Sequence, residues 1–298
     1  MQLRPYQQRC VDKSLAYMRK TLQPGIIDAA PAAGKSHMIA AIAHKIYNTT
    51  GKRILCLAPS AQLVNQNHQK YLLTGNPASK FSASAGCKEL RHPVVFGTPQ
   101  TVLNKIDAFQ DYALVVLDES HYIPPTVQKI IESMRASNPN LRVLGFSGTP
   151  YRLGQGYIFA EHADGTMNGE DTAKDPYFYK CIERVTAQEM LDGGFITPME
   201  IGINEGYDTS KLVVDKGQFT QDSIHKTFEG KGRLTADIVA DVVKTAQHIP
   251  GGCMFFAASI NHGLEIMESL PPAHSGFVTG DDKKMVQPYR DGKIKYIV

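Results

Sequence analysis

The sequence predicts an α/β protein built on parallel sheet, and three observations predict it. Short apolar runs alternate with segments of helical periodicity, the rhythm of repeated βαβ units. Several runs empty into small, hydroxyl-bearing or acidic residues at their carboxyl ends, the edge where open α/β sheets bind ligands. The chain has 298 residues, 42% hydrophobic and 20% charged, enough for two domains that each bury a core.

In chain order, Leu3-Arg4-Pro5-Tyr6-Gln7 opens a helical pattern carried by Val11, Leu15, Met18 and Leu22, with Pro5 suited to a first turn. The Gln7 amide offers a donor and an acceptor, as an adenine edge requires. Arg4 and Gln7 are thus candidate adenine readers, or an ordinary solvated helix start. Next comes G-I-I-D-A-A-P-A-A-G-K-S over residues 25–36, a buried strand breaking into a phosphate loop. Small residues at Pro31, Ala32, Ala33 and Gly34 let backbone N–H groups approach phosphate oxygens, and the following helix adds its positive end. Lys35 would reach the β- and γ-phosphates of ATP, and the Ser36 hydroxyl would sit on Mg²⁺. Ala29 stands where the full pattern has its first glycine, so the stretch alone also fits a plain strand-turn-helix corner.

A helix to about residue 48 stops at Thr-Thr-Gly51, and Arg53 to Pro59 forms the second strand. The helix opening after Pro59 either holds a nucleic-acid phosphate at its amino end or is simply capped. Residues 74–93, rich in Gly, Ser, Ala and Lys, read as surface loop with at most one short strand. Val94-Val95-Phe96 is a strand leading into Thr98 and Gln100, which donate to phosphate or cap the next helix.

Ala113 to Leu117 is the clearest buried strand, and it delivers Asp118-Glu119-Ser120-His121. Adjacent carboxylates after a central apolar strand are costly without a counter-charge. A divalent cation supplies one: Asp118 would hold Mg²⁺, Glu119 would activate the water that attacks the γ-phosphate, and His121 would sense the site. The strand Leu141 to Phe146 ends in Ser147-Gly148-Thr149, a plain turn or a link from nucleotide state to a second domain. Residues 153–180 read as an insertion, 183–191 as helix and 199–203 as a strand. A second βαβ rhythm follows, with helices over 235–247 and 262–270 and strands over 253–257 and 275–278.

The net charge of +3 does not mark a nucleic-acid binder, so any polyanion contact must be local. Five scattered cysteines without a C-x-x-C pair suggest neither zinc nor disulfides. No apolar run approaches about 18 residues, and the N-terminus is not a signal peptide. The expectation is a soluble cytoplasmic protein with no membrane partner.

Taken together, L-R-P-Y-Q, A-P-A-A-G-K-S, L-A-P-S-A-Q-L-V-N-Q, F-G-T-P-Q-T-V, V-V-L-D-E-S-H, F-S-G-T-P-Y-R and M-F-F-A-A-S resemble the superfamily 2 helicases of DEAD/DEAH type. T-P-Y-R-L-G-Q-G-Y-I-F, G-F-I-T-P and F-V-T-G-D look most like the RadD branch, DNA-repair helicases related to type III restriction subunits. The resemblance implies two RecA-like domains, 1–203 and an incomplete 204–298, with ATP and Mg²⁺ as cofactors and a nucleic acid, DNA in this branch, as partner. It makes Lys35, Asp118 and Glu119 catalytic, Ser147 and Thr149 coupling residues, and Pro59, Thr98, Ala258 and Ser259 nucleic-acid contacts. Ser120 replaces the Ala or Cys common at that place. The motifs make the expected function an ATP-dependent helicase or translocase, while the family's arginine fingers lie beyond the strand expected at Lys295 to Val298. The alternatives are an ATP-gated adaptor with little hydrolysis and the motor part of a restriction complex.

Overall fold

The computed structural model describes residues 1–152, 156–169, 172–173, 175–198, 206–215 and 218–298. The chain divides into two compact units, Met1–Pro198 and Met199–Val298. In the first, helices α1 (Pro5–Lys20), α2 (Lys35–Thr50), α3 (Ala61–Leu72), α4 (Pro99–Leu103), α5 (Pro125–Ser137) and α6 (Ala187–Asp192) pack on a nine-stranded sheet. Its strands are β1 (Gly25–Ala29), β2 (Ile54–Leu57), β3 (Ser79–Ser82), β4 (Cys87–Lys88), β5 (Val94–Gly97), β6 (Leu114–Leu117), β7 (Arg142–Ser147), β10 (Phe159–Glu161) and β11 (Phe178–Val185). A separate pair, β8 (Tyr151–Arg152) and β9 (Gly156–Tyr157), is antiparallel.

The sheet order is β10-β11-β1-β7-β6-β2-β5-β3-β4, and the described pairings are parallel except β3 with β4. Helices cover both faces, which is why β1, β2, β5 and β6 are buried without alternation. Ile27, Val116 and Phe146 point into a core beneath α1, α2 and α3. Ile26, Val115 and Val143 on the same three strands point into a second core with Val127, Ile130 and Met134 of α5.

Three expectations need correction. Residues 74–93 form two strands, not one. Ser79 and Ser82 are fully buried, but Ser79 Oγ accepts from the His92 N–H and Ser82 Oγ from Thr98, so a polar strand is satisfied locally. The 153–180 segment is not wholly an insertion, because β10 and the start of β11 belong to the main sheet. The helix expected over 183–191 is confined to Ala187–Asp192, and residues 183–185 continue β11 beside β1. In β11 the buried residues Phe178, Cys181, Ile182 and Val185 fall at spacings that imitate a helix. The strand is irregular: its register shifts opposite Ile26 and Ile27 and skips Ile182, and Phe178 and Cys181 share one core while Ile182 and Val185 share the other, each pair three residues apart instead of two.

The second unit has β12 (Val214–Asp215), β13 (Gln218–Phe219), α7 (Gln221–Phe228), α8 (Gly232–Ala246), β14 (Cys253–Met254), α9 (Ile260–Glu268), β15 (Ser275–Gly276), α10 (Val286–Arg290) and β16 (Tyr296–Ile297). Its three-stranded sheet, order β14-β16-β15, is parallel. Val239, Ile266, Leu270 and Tyr296 form its core. The expected strands over 253–257 and 275–278 are shorter, α7 and the β12–β13 pair add to the reading, and the strand expected over 199–203 lies outside the described residues.

Candidate nucleotide site

The loop between β1 and α2 turns sharply at two left-handed residues, Ala32 (φ 66°) and Gly34 (φ 79°). A β-carbon on Gly34 would stand 2.5 Å from Gln7 Nε2, so glycine is required twice over, by conformation and by space. Gln7 is buried, its Nε2 donates to Ala33 O (2.8 Å), and its Oε1 accepts from the Arg4 N–H (3.0 Å). Both amide functions therefore brace the phosphate loop against the start of α1. The Arg4 guanidinium lies 4.9 Å from the centre of the Phe195 ring and donates to the Tyr6 hydroxyl.

Lys35 and Ser36 begin α2 with their side chains at the carboxyl edge of the sheet. Lys35 Nζ lies 3.2 Å from Glu119 Oε1. Glu119 follows β6 with φ 50°, an uncommon conformation for a residue with a side chain. Its N–H donates to Asp118 Oδ1 at 3.0 Å, and His121 Nδ1 stands 3.7 Å from its Oε2. Asp118 is buried, and burial raises its pKa against the opposing hydrogen bond from Asn67. A cavity of about 230 Å³ is lined by Lys35, Ser36, Asp118, Glu119, Gln66 and Lys70.

Two side chains of α3 were not anticipated. Gln66 Nε2 donates to Ser36 Oγ (3.0 Å), and Asn67 Nδ2 donates to Asp118 Oδ2 (2.7 Å). Adjacent amides thus hold the hydroxyl and the carboxylate that a phosphate-bound Mg²⁺ would share. The N-Q-N run at 65–67 was the available signal. Asn67 Oδ1 is buried without a partner, an acceptor suited to an ordered water. Oxygen donors from one hydroxyl and one carboxylate fit Mg²⁺, which keeps waters and takes phosphate oxygens for its other positions.

Ser147 is fully buried, its Oγ accepts from the Thr149 N–H (3.1 Å), and Thr149 is exposed. Gly148 brings this turn against the phosphate loop: a β-carbon there would meet Ala29 O at 3.1 Å and Lys35 Nζ at 3.5 Å. Asp28, one strand position before Ala29, pairs with Arg184 at 3.0 Å, and burial pushes its pKa up to about 6 despite Arg184 and Lys35.

Pro59 is exposed after β2, where Ser60 caps α3. The Thr98 hydroxyl is turned inward to Ser82 and Thr101, and Gln100 reaches Asn104. In the second unit, the Ala258 N–H donates to His262 Nδ1, and Ser259 caps α9 while donating to Glu229.

No helix among the described residues is long and apolar enough to cross a membrane. The structure is similar to the ATP-dependent type ISP restriction-modification enzyme LlaBIII bound to DNA, at 13% identity and a TM-score of 0.61, over 100% of this chain and 24% of that one. T4 UvsW aligns at 19% identity and a TM-score of 0.46, over 100% of this chain and 57% of that one. The chain therefore spans less than two thirds of either. No curated protein matches it. Residues 1–152 match the model of the type III restriction enzyme, res subunit, family. That match runs from the start of the first helix through the phosphate loop, the Asp118-Glu119 pair and the Ser147 turn, and the chain belongs to this family of superfamily 2 helicases.

Proposed function

We propose that this chain is the motor portion of an ATP-dependent DNA helicase or translocase, with residues 1–203 as the ATP-binding domain and 204–298 contributing part of a second RecA-like domain. The observation that carries the reading is the Lys35–Glu119 pair at 3.2 Å, set beside Ser36 and Asp118, which Gln66 and Asn67 hold. Without nucleotide, Lys35 and Glu119 neutralise each other. The phosphates of ATP draw Lys35 to themselves and leave Glu119 free to orient a water and take its proton as the water oxygen bonds to the γ-phosphorus and ADP departs. Ser36 and Asp118 would hold Mg²⁺, which offsets the phosphate charge when bound. Arg4 and Gln7 set the adenine end. Ser147 and Thr149, packed against the phosphate loop through Gly148, pass its state on, with His121 beside Glu119 as a second sensor. Pro59, Gln100, Ala258 and Ser259 are the proposed nucleic-acid contacts; the buried Thr98 hydroxyl, held by Ser82 and Thr101, is not available as a donor to phosphate.

The test is ATP turnover with and without DNA. Glu119→Gln should lower turnover by roughly three orders of magnitude or more, the scale on which phosphoryl-transfer machinery acts, while ATP still binds; Lys35→Ala should lose both. Normal turnover in Glu119→Gln would sink the assignment. The family match to a restriction subunit favours a second reading, in which this motor serves a nuclease carried elsewhere. The resemblance to the RadD branch favours DNA repair.

A further inference from the structure

Tyr122 follows the Asp118-Glu119-Ser120-His121 run at the carboxyl edge of the sheet, and the sequence gives no reason for a large aromatic there. Its side chain is not part of either core. It is 48% exposed, and the Arg152 guanidinium lies 4.5 Å from the ring centre. Tyr122 also helps line a recess of about 140 Å³ with Pro59, Pro99 and His121. The loops after β2, β5 and β6 thus meet in one recess, and an exposed ring held by a cation stands at it.

We propose that Tyr122, braced by Arg152, is a stacking platform for an unpaired base of single-stranded nucleic acid. The inference rests on the nucleic-acid reading above and sharpens it to a substrate class. Three physical points support it. An exposed aromatic ring is costly in water and gains by covering a flat, weakly polar partner, and base stacking on such a ring tolerates any sequence. A guanidinium over the ring holds its plane by cation–π attraction. The exposed Pro59 and the half-buried Pro99 at the same recess offer apolar surface without flexible side chains to clear. A duplex has its bases stacked on one another already, so the platform discriminates for single strand.

The experiment is fluorescence anisotropy of a labelled single-stranded oligonucleotide titrated with the full chain. Tyr122→Ala should bind about tenfold more weakly, the range of one lost stacking contact, with an unchanged melting temperature. Tyr122→Phe, which keeps the ring, should bind like the wild type. An oligonucleotide of the same length with abasic sites should erase the difference between wild type and Tyr122→Ala. Equal affinity of wild type and Tyr122→Ala for the normal strand would overturn the platform while leaving the nucleic-acid reading intact. So would a loss in Tyr122→Ala that persists in full on the abasic strand. No binding by the wild type would overturn both.

Discussion

The two units use the same βαβ vocabulary to different depths. In Met1–Pro198 a nine-stranded sheet is covered on both faces, and its carboxyl edge gathers the phosphate loop, the carboxylate pair and the Ser147 turn. In Met199–Val298 three two-residue strands carry one modest core, while Met254 and Phe256 are 53% and 87% exposed. Cys253, Phe255 and Ala257 pack against that core, so the alternation around β14 presents one covered face and one open face. A parallel sheet is ordinarily buried on both faces. The contrast teaches that a site needing several residues fixed to within fractions of an ångström sits on the unit whose sheet is held from both sides, where each side chain is over-determined by packing.

The largest effect that sharpens this contrast comes from one substitution made in both places. Phe146 is fully buried beneath α1 and α2, and Phe256 is 87% exposed. Phe146→Ala should cost about 3–5 kcal/mol, from lost burial and the cavity left behind. Phe256→Ala should change stability by less than about 0.5 kcal/mol, as surface substitutions do. Urea unfolding followed by circular dichroism reads both. A Phe256→Ala loss as large as that of Phe146→Ala would break the comparison, because it would mean that the open face is covered in solution.

Much of the first unit was legible because its chemistry needs particular residue types next to one another. Gly34-Lys35-Ser36 and Asp118-Glu119 are contiguous, and each ends an apolar run, so strand and site announce one another. What stayed hidden depends on contacts across the chain. Gln66 and Asn67 matter through Ser36 and Asp118, and the N-Q-N run marks them as polar without naming those partners. The strand β11 was obscured by its bulge at Ile182, and β3 by serines whose partners, His92 and Thr98, come later in the sequence. In the second unit the two longer helices, α8 and α9, were visible from periodicity and the shorter α7 and α10 were not, and two-residue strands leave too little alternation to bound them.

The smaller prediction concerns a buried charge that distinguishes the two sheets. β1 reads as an apolar run yet contains Asp28, 7% exposed and paired with Arg184; the described strands of the three-stranded sheet of the second unit, β14, β15 and β16, contain no carboxylate. Burial raises the Asp28 pKa from the ordinary 3.8 to about 6. Below about pH 4 the carboxyl is protonated in folded and unfolded chains alike. Between there and pH 6 the unfolded chain releases the proton and the folded chain keeps it, so stability falls as pH rises through this window. Above it the penalty is constant, on the order of 3 kcal/mol. Asp28→Asn removes the titration, so its stability relative to wild type should climb by that amount from pH 4 to pH 7. A difference that stays flat would show that Asp28 is solvated and that β1 is open at its carboxyl end. A difference that climbs would place a strained charge one residue before the phosphate loop begins, within the electrostatic reach of Lys35, in a sheet packed on both faces.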